Sequence, residues 1–219
     1  MPARQLDPDM RARLLEAAAR LLAEEGPSAL STRKVAAEAN TSTMAVYTEF
    51  GSMAELVRAV VDEGFARLAA RLTALQPTED PVADLGRIVV AYRTHAHDNP
   101  HLYAVMYGTA SLGGYRRSGG GLAQGRYTFD VHVEFTRRAI AAGRFRDDDA
   151  VAVATKIWTA VHGYIMLELA GYFGQGSDGI RQNLVPMLLD LFVGLGDDRA
   201  AATTSAGVWF TDTLPFRVG

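Results

Sequence analysis

The chain has 219 residues, 48% of them hydrophobic, a formal net charge of -3 and no cysteine. That length holds one large domain or two small ones, with the composition of an ordinary globular protein, and it excludes disulfides and thiolate metal sites. No uninterrupted apolar run approaches the roughly 18 residues of a membrane span, and MPARQLDPDM lacks a signal-peptide core, so the chain reads as cytoplasmic, with no membrane partner.

Bulk charge does not favour a nucleic-acid partner. Residues 1–75 carry nine Arg or Lys against ten Asp or Glu, so any phosphate contact must come from local placement.

Helical period runs through nearly every segment and no convincing strand appears, which predicts an all-α fold. Asp7-Pro8 starts a first helix with Met10, Leu14, Ala18 and Leu21 as its apolar stripe, and Gly26-Pro27 stops it. Ser31 can cap a second helix that turns Val35, Ala36 and Ala39 inward. Asn40 is a left-handed stop, because Asn tolerates positive φ. Ser42 can cap a short third helix burying Val46 and Phe50. Ser52 and Glu55 form a capping box for a long fourth helix through Leu56, Val60, Val61, Phe65, Leu68, Leu72 and Leu75, closed by Pro77. A long amphipathic helix leaving a compact trio predicts a connector between two domains.

The remainder predicts a second, larger helical body. Asp80-Pro81 and Asn99-Pro100 start two helices, the second ending near Tyr107. GTASLGGYRRSGGGLAQG, residues 108–125, is too glycine-rich to be helical throughout and reads as a loop. A helix through Phe129, Val133, Phe135 and Ile140 stops at Gly143. Asp147 can cap the next, through Ile157, Trp158, Val161 and Ile165, and a last helix carries Ile180, Leu184, Met187, Leu188 and Leu191. From Asp197 the tail has no clear period, though Val208-Trp209-Phe210 suggests that part of it docks.

Two helices joined by a tight turn and packed on a third form a helix-turn-helix, whose second helix enters the major groove. Such a helix needs only Val46 and Phe50 to hold it. Ser42, Thr43, Met44, Ala45, Tyr47 and Thr48 then face outward, with hydroxyls to exchange hydrogen bonds and apolar groups for a thymine methyl. Tyr47 would reach a phosphate, Arg33 a phosphate or guanine, and Thr32 offers its hydroxyl and N–H to an anion. The same spacing also fits a plain trio of packed helices with a solvated face.

LSTRKVAAEANTSTMAVYTEFGSMAEL, residues 30–56, resembles the DNA-binding segment of the TetR family of bacterial transcription regulators. Thr32, Val35-Ala36, Ala39, Ser42, Val46-Tyr47, Phe50 and Leu56 carry the resemblance, which covers residues 8–72 with the first helix. The chain departs from the family pattern at Asn40 and Thr41, usually Gly and Val, at Met53, commonly a phosphate-contacting Lys, and at Glu49. Both later changes remove positive charge, leaving phosphate contact to Arg33, Lys34, Arg4, Arg11 and Arg13.

The resemblance implies a C-terminal ligand cavity and a homodimer through the last two helices of that domain. KIWTAVHGYIMLELAG, residues 156–171, is similar to the family's Trp-His-Gly type of C-terminal domain at Trp158, His162 and Gly163. Trp158 and His162 stand one turn apart beside Met166, either as core or as part of a pocket. Tyr92, Tyr103, Met106, Tyr107, Phe129, His132 and Phe135 are further candidates to line a cavity, and equally what any helical core contains.

His95, His97 and His101 lack metal-ligand spacing, Asp147–Asp149 reads as a helix-start charge run, and no nucleophile–base pair is evident. The expectation is therefore no cofactor, no metal and no catalysis. Residues 1–52 form the DNA-binding domain, 53–76 the connector, 77–196 the ligand-binding and dimerisation domain, and 197–219 the tail. The function expected is a ligand-responsive regulator, a repressor binding a palindromic operator as a homodimer and released by a small, largely apolar effector. The alternative is a helical small-molecule carrier or enzyme whose N-terminal helices dock a partner.

Overall fold

A computed structural model describes residues 9–107, 125–173 and 178–209. Within them lie α1 (Met10–Glu25), α2 (Thr32–Glu38), α3 (Thr43–Phe50), α4 (Met53–Thr73), α5 (Pro81–Asp98), α6 (Pro100–Met106), α7 (Arg126–Ala141), α8 (Ala150–Leu169), α9 (Val185–Leu195) and α10 (Arg199–Ala206). No strand occurs among the described residues. Arg4, Asp7-Pro8 and nearly all of the glycine-rich 108–125 segment lie outside them.

The chain divides into two compact units. The first takes residues up to Arg67 together with Asn99–Gly125, and the second takes Leu68–Asp98 with everything from Arg126 onward. Helix α6 therefore belongs to the first unit, not to the second body where its chain position put it. It is one short turn-pair, and its Leu102 and Met106 press on Gly64, where a Cβ would stand 2.9 Å from the Met106 sulfur. His101 lies against Gly26 at the end of α1.

In the first unit, Leu14, Ala17, Ala18, Leu21 and Leu22 form the inward face of α1. Val35 and Ala36 of α2, with Val46 and Phe50 of α3, close over it. Small alanines on α1 and α2 let the three helices approach closely. Removing a fully buried side chain such as Val46 would leave a cavity, at a cost of about 1–3 kcal/mol.

In the second unit, α5 is buried along most of its length, from Pro81 through Ala96. Asp80 starts it as expected, its Oδ1 accepting from the N–H groups of Val82 and Ala83 at 3.0 Å. The cap of α8 is Asp149, accepting from Val151 N–H at 3.1 Å, not Asp147. All three aspartates are chemically able to cap, so composition could not choose among them. The last predicted helix begins as a π-helical turn, Ile180–Leu184, before α9.

The tail was expected to lack period, but Arg199–Ala206 is helical, with Asp198 accepting from Ala201 N–H at 2.9 Å. Only Ala202 and Ser205 of this helix are buried, too small a stripe to show as hydrophobic period. Beyond it Trp209 is 1% exposed.

Helix α8 is long and apolar enough, by length and composition, to cross a membrane, yet only 33% of its most apolar window is buried within the chain. Val151 and Leu167 stand out to solvent on it.

Candidate nucleic-acid interface and effector site

The turn between α2 and α3 is built by backbone geometry. Asn40 is the one non-glycine residue with positive φ among the described residues, at 51°. Its N–H donates to the Ala37 carbonyl at 3.0 Å, and the Thr41 N–H to that of Ala36 at 2.8 Å. Those two bonds are the Schellman closure of a helix, with Asn at the position glycine usually takes. Ser31 caps α2 as expected, accepting from Lys34 N–H at 3.3 Å. Ser42 occupies the cap position of α3 without a side-chain bond to it.

Helix α3 is held from one side only. Val46 and Phe50 are 0% and 7% exposed, whereas Met44 and Tyr47 are 66% and 50% exposed. Ser42, Thr43 and Thr48 are also exposed, and Ala45 is half-buried. Among the described residues, the outward methionine and tyrosine of this eight-residue helix serve no packing purpose.

Several expected DNA-facing groups already have partners. The Thr48 hydroxyl donates to the Met44 carbonyl at 2.9 Å, which commits its proton within the helix. Thr32 Oγ1 lies 3.8 Å from the Met53 sulfur. Lys34 Nζ pairs with Glu25 at 2.6 Å. Arg11 donates to the Glu49 carbonyl at 2.8 Å, with its guanidinium 4.3 Å from the Phe50 ring centroid. It therefore fastens the C-terminal end of α3, where a cation is favoured by the helix dipole. Arg33 is exposed at the start of α2.

In the second unit, five of the candidate effector residues come together from α5, α7 and α8. Trp158 Nε1 donates to the Tyr92 hydroxyl at 3.1 Å, and that oxygen lies 3.4 Å from His162 Nδ1. The Tyr92 ring meets His132 edge-on at 5.7 Å, and Phe129 stacks near His132 at 6.4 Å. Phe129 meets Trp158 at 6.1 Å, and Trp158 stacks on His162 at 5.2 Å. The rings form a closed circuit. Burial pushes the His132 imidazole down to about 4, against a smaller opposing effect of its bond to the Thr128 carbonyl. Burial also lowers His162. Both are neutral at pH 7.

The other candidates lie elsewhere. Met166 is half-buried one turn beyond His162 on α8. Phe135 is buried beneath Arg138, whose guanidinium is 5.6 Å from the ring centroid. Tyr103, Met106 and Tyr107 belong to the first unit, where Tyr107 packs on Phe65 and Tyr103 at 5.7 and 4.7 Å.

Sequence reasoning missed the charged groups between these helices. Glu168, 8% exposed, accepts two bonds from Arg93, each at 2.8 Å, one involving His97 Nε2 at 2.8 Å and one from the Tyr164 hydroxyl at 3.0 Å. Burial alone would raise its carboxyl, but the bonds from His97 and Arg93 outweigh that and bring it down to about 2. Burial and the Glu168 charge raise Tyr164 in turn. The available signal was spacing: Arg93 with His97, and Tyr164 with Glu168, are both one turn apart. Asp84, 1% exposed, is matched by Arg87 at 3.1 Å and Arg138 at 2.6 Å. Among the described residues no three His, Asp or Glu are grouped to hold a metal.

Two family models match the chain: "Bacterial regulatory proteins, tetR family" over residues 14–60, and "Tetracyclin repressor-like, C-terminal domain" over residues 85–192. The first spans α2, the Asn40 turn and α3; the second spans the whole aromatic circuit.

The chain belongs to the tetR family.

It is accordingly a ligand-responsive DNA-binding transcription regulator. Solved structures share the fold. A protein of unknown function from Rhodococcus sp. RHA1 is 26% identical with a TM-score of 0.73, covering 89% of this chain and 100% of that one. A tetR-family regulatory protein from Rhodococcus RHA1 is also 26% identical, with a TM-score of 0.63 and coverage of 86% and 98%. RolR (NCGL1110), solved with resorcinol, shares the fold at 19% identity, a TM-score of 0.64 and coverage of 90% and 93%. No curated protein sequence matches.

Proposed function

We propose that this TetR-family chain is a repressor that binds a palindromic operator as a homodimer through α3 and is released by a small, largely apolar effector held in the second unit. The observation that carries the reading is the one-sided seating of α3, with Met44 and Tyr47 exposed while Val46 and Phe50 anchor it.

Thr43, Met44 and the methyl face of Thr48 suit contacts with thymine methyl groups, Tyr47 and Arg33 suit phosphates, and Ser42 and Ala45 stand at the rim. Thr32 and Lys34 contribute at the start of α2, Lys34 by exchanging Glu25 for a phosphate. The partly unburied apolar surface of α8, together with α9, supplies the dimer interface, since a stripe of that size on a regulator finds a partner. A two-fold dimer sets its two α3 helices in successive major grooves, roughly 34–36 Å apart. The effector acts only through a difference in affinity between the DNA-bound and released arrangements. The chain works by binding, not by catalysis.

Selection from a random duplex library at controlled salt tests this. A recovered palindrome with half-sites one helical turn apart supports the reading; an asymmetric or single half-site from folded protein refutes it.

A further inference from the structure

Helix α7 buries a polar stripe that packing does not require. Thr128, His132 and Thr136 follow at four-residue intervals on its inward face, at 4%, 4% and 0% exposure. His132 Nδ1 lies 3.1 Å from the Thr128 carbonyl oxygen, which can only accept. Nδ1 therefore carries the ring proton, and Nε2 is left as a lone-pair acceptor. Among the described residues nothing donates to it.

Thr136 Oγ1 is buried and also without a hydrogen-bond partner among the described residues. Its isolation is unusual within this chain. Thr48, Thr73, Thr94, Thr155, Thr203 and Thr204 all return their hydroxyl to the carbonyl one turn back. Thr136 does not. An acceptor and a buried, unpaired hydroxyl thus sit one turn apart on α7, and the imidazole bearing the acceptor meets the rings of Tyr92 and Phe129.

Four half-buried arginines of this unit are already paired. Arg93 is engaged by Glu168, Arg87 and Arg138 by Asp84, and Arg144 by Asp197. An anionic ligand would find no free cation among these, and a cationic one no free carboxylate.

We propose that the ligand of this unit is an uncharged aromatic compound bearing a hydroxyl group, which donates to His132 Nε2 and accepts from the Thr136 hydroxyl while its ring lies among Tyr92, Phe129 and Trp158. This rests on the reading that the second unit holds the effector site.

The test is calorimetry on the full chain with phenol, with toluene as a probe of similar size lacking the hydroxyl, and with benzoate as the anion. Phenol should bind about tenfold more tightly than toluene, and benzoate least. Thr136→Val, a near-isosteric change that removes an unpaired hydroxyl and so spares the fold, should reduce the preference for phenol severalfold. His132→Phe should abolish it. Equal binding of phenol and toluene, tighter binding of benzoate, or a preference that survives Thr136→Val would overturn the proposal; in the last case an ordered water, not a ligand, completes the stripe.

The selected operator duplex separates the two readings. Phenol should release it, and preferential phenol binding that leaves the duplex bound overturns the effector assignment. Protein that binds no duplex at all sinks the regulator reading, and the phenol–toluene ratio then decides the ligand class by itself.

Discussion

His132 and Glu168 show how burial acts oppositely on two titratable groups in one unit. His132 has no charge partner, so burial carries its pKa down from 6.5 to about 4. A proton therefore prefers the unfolded chain: the stability is complete above pH 6.5 and is lost as pH falls towards 4. The expected loss is about 3 kcal/mol, read by urea denaturation at stepped pH, and His132→Gln should flatten that slope. Glu168 is depressed instead, from 4.5 to about 2. Its contribution is present above pH 4.5 and disappears only as pH falls through about 2. Glu168→Ala at pH 7 leaves the Arg93 charge without its partner and should cost about 3–5 kcal/mol, seen as a lower urea midpoint. A change below about 1 kcal/mol would mean that solvent reaches Arg93 freely.

The helices themselves were largely legible, because their signals are local. Asn40 as a left-handed stop, Ser31 as a cap and Asp80 at the start of α5 each follow from the chemistry of one residue and its neighbours. What was not legible depends on contacts far apart in the chain. Helix α10 buries only alanine and serine, and it is held by the Ser205 hydroxyl donating to Asp80 at 2.6 Å and by Arg144 reaching Asp197 at 2.6 Å. Trp209 follows it and lies over Gly86, where an added Cβ would come within 2.0 Å of the indole nitrogen. Gly86→Ala must therefore displace the ring. The expected result is a red-shifted tryptophan emission and a destabilisation of about 2 kcal/mol. Unchanged emission would show that Trp209 is not seated there. The same limit applied to the candidate sites: outward residues of α3 could be read from its two inward anchors, but the membership of the aromatic circuit could not. Tyr92 and His132 belong to it, whereas Tyr103 and Tyr107 pack in the first unit, and nothing in their local sequence distinguishes them.

At the scale of the whole molecule, weak net charge and a DNA-binding fold have to be reconciled. Arg11 holds α3, and Lys34 must give up its pair with Glu25 to meet a phosphate, so affinity should lean on shape and base contact more than on counterion release. A shallow salt dependence of operator binding is the consequence. Dimerisation should fail first at α8: Leu167→Glu puts a charge on an exposed apolar position, 46% exposed, and should give a folded monomer in sedimentation. A dimer surviving that change would place the interface elsewhere. That α3 reads DNA is tested by Tyr47→Ala. Tyr47 is 50% exposed, so its removal should change stability by no more than about 0.5 kcal/mol. Fluorescence anisotropy on the selected duplex at fixed salt should show at least a tenfold loss of affinity in the variant. Equal affinity of variant and parent, with both folded, would mean that α3 is not the DNA-reading helix.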